Sequence, residues 1–147
     1  MSIFASRVGY EAQHLVDYSL WSSIPEGLVV DLGGSHGDFM IAVAKKHTSL
    51  KFVVQDLPGT IESRPTLPSD LRDRVTFMAH DFFTEQPTKN ADVYFFRWIF
   101  HNWPDSYCLR ILRNLIPALK PQSRIVINEV CLPEPNTLPL MVERRIR

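Results

Sequence analysis

Leu28-Val29-Val30-Asp31-Leu32-Gly33-Gly34-Ser35-His36-Gly37-Asp38-Phe39 is the stretch on which the fold turns. Its first five residues form a short β-rich run, as in a strand. Gly33, Gly34 and Gly37 then end the strand. They let the backbone turn tightly and approach a ligand with no Cβ in the way. From Asp38 the apolar positions (Phe39, Ile41, Ala42, Val43, Ala44) suit a helix, and Lys45 and Lys46 fall where a helix C-terminus favours cations. Strand, glycine turn and helix in that order open an α/β sheet.

The same unit recurs downstream. Lys51 to Asp56 reads as a second strand, stopped by Leu57-Pro58-Gly59. Ser63 to Asp70 holds Pro65 and Pro68 and reads as loop. Val75 to Ala79 and Asp92 to Phe96 make a third and a fourth strand. Pro104-Asp105 opens a helix at a position that suits proline, with Leu109, Ile111, Leu112, Leu115 and Ile116 expected on its buried side. Arg124 to Val130 is a fifth strand, and three prolines between 133 and 139 predict a loop. Residues 1–22 form a weakly helical leader, set off by Ser22, Ser23 and Pro25-Glu26-Gly27. The pattern predicts a Rossmann-like α/β domain over residues 23–147, with a mainly parallel, doubly wound sheet of about five strands. Ligands of such sheets sit beyond the carboxyl ends of the strands.

Composition narrows the function. The 147 residues are 45% hydrophobic and 22% charged, within the range of one globular domain. Sixteen basic residues balance sixteen acidic ones, which argues against nucleic acid or a membrane surface as a partner held by bulk charge. Arg144, Arg145 and Arg147 are too few to make a binding patch. No apolar run reaches the roughly 18 residues of a membrane span. Cys108 and Cys131 lack metal-type spacing and read as packed thiols. Nothing here asks for an oxidising compartment, so a cytoplasmic protein is expected. His14, His36, His47 and His80 show no ligand spacing, and no metal is expected.

The strand ends carry the chemistry. The glycine loop reads G-G-x-x-G, which is neither the dinucleotide fingerprint G-x-G-x-x-G nor a P-loop. Asp56, nineteen positions after Gly37, either accepts from ribose hydroxyls or caps the turn before Pro58. Asp81, followed by Phe82 and Phe83, either accepts from an adenine amino group beside an apolar wall or is a turn aspartate. His101 sits in the loop ahead of the helix at Pro104.

Together these segments resemble the S-adenosylmethionine-dependent O-methyltransferases of the plant and fungal small-molecule type, which include caffeate and flavonoid methyltransferases. The likeness is carried by Val30-Asp31-Leu32-Gly33-Gly34-Ser35-x-Gly37, Asp56-Leu57-Pro58, His80-Asp81-Phe82-Phe83, Arg97 to Asp105, and Asn128-Glu129 with Leu132-Pro133. The resemblance implies that Gly33, Gly34 and Gly37 wrap the methionine and ribose of the cofactor. It implies that Asp56 holds the ribose with Leu57 against the adenine, and that Asp81 and Phe82 meet the adenine edge and face. Arg97 stands where many members carry Lys, as a further cofactor contact. His101 is implied as the general base and Glu129 as the carboxylate that orients it. The reaction implied is methyl transfer to a hydroxyl of a small, aromatic metabolite, without metal, leaving S-adenosylhomocysteine (SAH).

Members of that family are homodimers with an N-terminal helical domain, and they continue into a further helix and two last strands. Measured against them, the chain is expected to lack the dimerisation domain and to be incomplete at its C-terminus. An alternative is therefore a truncated module that binds S-adenosylmethionine without turnover. A nicotinamide oxidoreductase is disfavoured by the glycine spacing and the His101 segment.

Overall fold

A computed structural model of the chain describes residues 12–129. Five strands, β1 (Gly27–Leu32), β2 (Leu50–Asp56), β3 (Val75–Ala79), β4 (Val93–Arg97) and β5 (Arg124–Asn128), form one sheet in the order β3-β2-β1-β4-β5. Every neighbouring pair is parallel, so among the described residues the sheet is wholly parallel, in keeping with the expected doubly wound α/β arrangement. Central β1 sets Val30 opposite Val53 of β2 and Tyr94 of β4. The strand order reverses between β1 and β4, the switch point at which open sheets place ligands.

The helices are α1 (Ala12–Val16), α2 (Ser19–Ser22), α3 (Asp38–Lys46), α4 (Pro58–Glu62) and α5 (Asp105–Leu115). Successive strand residues point to opposite faces, and the apolar side chains sort accordingly. Val29, Phe52, Val54 and Phe95 share one core with Phe39, Met40 and Val43 of α3. Val30, Leu32, Tyr94 and Phe96 share the other with Ile111 and Leu115 of α5. Trp21 joins the first core, its ring 5.8 Å from Phe95 and its indole N–H donating to the Leu15 carbonyl. The end of the 1–22 leader is thus packed against the sheet.

Several findings go beyond the sequence reading. Leu57-Pro58-Gly59 stops β2 as expected, but Pro58 also starts a short helix, α4, at a position where its missing N–H has no helical partner to lose. On α5 only part of the expected apolar side is buried. Ile111 and Leu115 are covered, but Leu109 and Ile116 are more than half exposed. Leu109 lies on the outer side of α5, and Ile116 falls just past its end, in the 3₁₀ turn Ile116–Ala118. Ile125 and Ile127 of β5, the edge strand, are also exposed. β5 closes at Asn128, and the Glu129 side chain turns toward the loop after β4. Val130, Cys131, the 133–139 loop and the C-terminal arginines lie outside the described residues, as does the start of the leader.

Candidate active site at the strand switch point

A cavity of about 500 Å³ opens at the carboxyl ends of the strands, within the size range of small-molecule sites. Gly33 enters it from β1, and Asp56 and Leu57 from β2. Asp81, Phe82 and Phe83 come from the end of β3, and Ile99, Asn102 and Trp103 from the loop after β4.

The glycine loop is held by its neighbour strand. Gly33 and Gly34 N–H both donate to the Gln55 carbonyl, at 2.8 and 3.0 Å. Ser35 N–H donates to Asp56 Oδ2 at 2.8 Å, while Asp56 Oδ1 accepts from Leu57 N–H at 2.8 Å. Each carboxylate oxygen therefore has one backbone donor and capacity for another. Gly33 and Gly37 adopt φ of +74° and +80°, a region that suits glycine. A Cβ on Gly33 would lie 2.5 Å from the Ile99 side chain, and one on Gly37 2.9 Å from the Phe77 ring.

Behind the loop sits Asp31, whose carboxylate would collide with a Cβ on Gly34. Burial pushes its pKa up to about 7, against the pull of the Arg97 charge and with added repulsion from Asp56. The Arg97 guanidinium lies 4.2 Å from the Trp98 ring centre and 5.0 Å from that of Phe39, on the α3 side of the sheet. Burial lowers its pKa, and Asp31 opposes that shift.

The far wall is aromatic. Phe82 and Phe83 meet edge to face at 5.0 Å, and Trp103 stands edge-on to Phe83 at 4.7 Å. Asp81 Oδ1 accepts from Phe83 N–H and so shapes the turn that carries the wall. The adjoining His80 has its Nε2 buried without a hydrogen-bond partner. Burial lowers its pKa, only partly offset by Asp81, so the ring is neutral at neutral pH.

The fourth strand runs into a 3₁₀ turn, Phe100–Asn102, through Trp98 at φ +57°. Left-handed backbone is costly for so bulky a residue and is tolerated where surrounding bonds hold it. Here Glu129 does much of the holding: its Oε1 accepts from Ile99 and Phe100 N–H, each at 2.7 Å. Its Oε2 meets His101 Nδ1, also at 2.7 Å. A carboxylate at that distance calls for the proton on Nδ1, which leaves Nε2 as the acceptor nitrogen. His101 is half exposed, whereas Glu129 is largely covered.

Of the residues expected from the sequence, Gly33, Asp56, Leu57, Asp81 and Phe82 meet in the cavity. Gly34 and Gly37 shape the loop behind it, and Arg97 lies on the α3 side rather than in the cavity lining. His101 and Glu129 pair beside Asn102 and Trp103. The sequence reading left Asp31, His80, Ile99, Asn102 and Trp103 without a role, and gave Phe83 only a share in the apolar wall. His80 and Asn102 each adjoin a residue that was singled out, and Ile99 and Trp103 lie two positions from His101; that closeness was the available signal. Asp31 looks like any strand residue until its carboxylate is seen beneath the loop. Among the described residues, no group of three or more His, Cys, Asp or Glu could hold a metal ion, and no helix is long and apolar enough to cross a membrane.

The parallel sheet and its switch-point cavity define an open α/β domain with a cavity of small-molecule size at the strand ends. The chain belongs to the O-methyltransferase domain family, whose model matches residues 10–143. It is 53% identical over its whole length to the grayanic acid biosynthesis cluster O-methyltransferase of Cladonia grayi, covering 33% of that protein. It is 50% identical over 91% of its length to the chlorophenol O-methyltransferase of Trichoderma longibrachiatum, covering 30% of it. The SAH-bound form of CalO1, a methyltransferase in calicheamicin biosynthesis, superposes with a TM-score of 0.73 at 29% identity, over 83% of this chain and 36% of that one. The chain spans about a third of the length of the curated relatives it matches.

Proposed function

We propose that this chain is the cofactor-binding part of an enzyme that methylates a hydroxyl oxygen of a small aromatic molecule, with His101 as general base. The observation that carries the reading is the 2.7 Å contact of His101 Nδ1 with Glu129 Oε2, beside a cavity whose walls suit an adenosyl group. The fit to S-adenosylmethionine rests on the donor and acceptor set. Asp56 retains lone pairs for ribose hydroxyls, Asp81 for the adenine amino group, and Leu57 and Phe82 offer apolar surface to the base. Gly33 admits close approach, with Gly34 and Gly37 giving the loop its path. Arg97, laid against Phe39 and Trp98, acts on the field around Asp31 rather than as a wall of the cavity.

S-adenosylmethionine, when bound, supplies an electrophilic methyl group on a sulfonium. The chain's own task is to prepare the acceptor. A phenol with pKa near ~10 is a poor nucleophile while protonated at neutral pH. His101 Nε2 takes that proton as the oxygen attacks, and Glu129 stabilises the resulting imidazolium and keeps the ring in place. A phenolic acceptor agrees with the name of the chlorophenol relative and with the aromatic side chains around the cavity.

The test pairs calorimetric titration of SAH with an assay of methyl transfer to a panel of phenols. Asp56→Ala should weaken SAH binding by ~1–3 kcal/mol. His101→Ala should leave SAH affinity unchanged and slow transfer by ~10²–10⁴. No heat with SAH sinks the cofactor reading. SAH binding with no transfer that depends on His101 favours a binding module over an enzyme.

A further inference from the structure

We infer that the buried Gln55–Gln86 amide pair is a positioning device for the cavity, fixing the aromatic wall in register with the glycine loop. The functional part of this inference rests on the reading of that cavity as the S-adenosylmethionine site.

Gln55 is the penultimate residue of β2, and Gln86 lies in the segment 80–92 that joins β3 to β4. Parallel strands are usually joined by a helix that covers the sheet. No helix forms in this segment. The two glutamines close a reciprocal ring instead: Gln55 Nε2 donates to Gln86 Oε1 and Gln86 Nε2 to Gln55 Oε1, both at 2.9 Å. Thr88 completes it, its hydroxyl accepting from Gln55 Nε2 at 3.1 Å and its N–H donating to Gln86 Oε1 at 2.9 Å. Both glutamines are 1% exposed.

Such a ring selects one register. Two apolar side chains could slide past each other and remain content, but buried amides that slip are left unpaired. Each end of the ring continues into the cavity. The Gln55 carbonyl accepts from Gly33 and Gly34 N–H, and the next residue is Asp56. Gln86 follows Phe82 by four residues, and its N–H donates to the Asn114 carbonyl on α5. The Asn114 side chain in turn donates to the Phe82 carbonyl at 3.5 Å. The wall is therefore fastened to β2 and α5 before a ligand arrives, and a preformed site loses less freedom on binding.

The experiment replaces both amides, Gln55→Leu with Gln86→Leu, which keeps buried bulk and leaves no side-chain amide unpaired. Hydrogen exchange and SAH titration are the readouts. The double variant should keep its protection in β1 and β2, exchange about tenfold faster over residues 81–88, and bind SAH about tenfold more weakly. On a Phe82→Ala background the affinity loss should shrink, because the pair acts through the wall. Unchanged exchange over 81–88 in a folded double variant overturns the inference, as does an affinity loss that is the same with and without Phe82. If the parent chain binds no SAH, the cofactor reading fails, while the exchange comparison still decides whether the pair fixes the wall. Should the double variant not fold, Thr88→Val strips a bond from the ring and keeps both amides. It should then speed exchange over 81–88 by about twofold, and no change would overturn the inference.

Discussion

The glycine loop after β1 and the histidine turn after β4 are built on one plan. Each contains a non-glycine residue in left-handed backbone, Ser35 in the first and Trp98 in the second. Each is tied to the adjoining strand end by a carboxylate that accepts from backbone N–H groups. Asp56 at the end of β2 takes Ser35 and Leu57, and Glu129 just past β5 takes Ile99 and Phe100. The difference lies in what else each carboxylate does. Asp56, bonded to two backbone N–H groups, keeps acceptor capacity for a ligand. Glu129 applies its second oxygen to His101. Under the proposed function, the loop that would meet the cofactor is shaped mainly by backbone, whereas the turn that would handle the proton depends on one side chain for its path and for the contact with His101.

The largest expected effect breaks that dependence at Glu129. In Glu129→Gln the amide oxygen still accepts from Ile99 and Phe100 N–H, so the turn keeps its path. The amide cannot stabilise an imidazolium or hold the tautomer as a carboxylate does. Methyl transfer should fall by ~10²–10⁴ with little change in melting temperature or SAH affinity. A parallel loss of stability in thermal unfolding would show that the carboxylate matters mainly to the fold.

On the glycine side the electrostatic strain falls on Asp31 beneath the loop. Its folded pKa of about 7 lies above the ordinary 3.8, so the folded state keeps a proton that the unfolded chain gives up. This contribution is fully present below the unfolded value and is lost as pH rises through 4 toward 7. At 1.36 kcal/mol per pKa unit the loss reaches about 4 kcal/mol. Urea unfolding between pH 4 and 8 should show that slope, and Asp31→Asn should flatten it. An unchanged slope would place the titration elsewhere.

A smaller effect sharpens the comparison at the loop backbone. In Gly34→Ala the new methyl meets the Asp31 carboxylate and, at 2.7 Å, the Val54 side chain. Over-packing of this kind costs ~1–3 kcal/mol, to be read from chemical denaturation. If Gly34→Ala is neutral, the loop is more yielding than its bonds to Gln55 and Asp56 suggest.

Much of this arrangement was legible in the residues. β1, α3 and β3 fall within a residue of where period and glycine placement put them, because those signals are local. The cavity residues Gly33, Asp56, Asp81 and Phe82 could be named because each lies at or just past the end of a strand, and strand ends are where such sheets bind. α4 escaped notice because Pro58 and Gly59 read as breakers. Proline is tolerated at a helix's first position, and the rest of that helix is only three residues, Thr60 to Glu62. Leu109 and Ile116 were expected inside because an apolar residue at helical spacing does not say which stripe meets the sheet.

What the sequence alone determined was the class of fold, the strand ends and the residue types offered there, since each depends on neighbours a few positions away. Tertiary structure decided the rest: which strand lies beside which, that Gln55 meets Gln86 across 31 residues, and that Glu129 reaches back 28 residues to His101. Hydrogen bonds of that span form only when the sheet order brings their partners within about 3 Å, and no local period encodes that order.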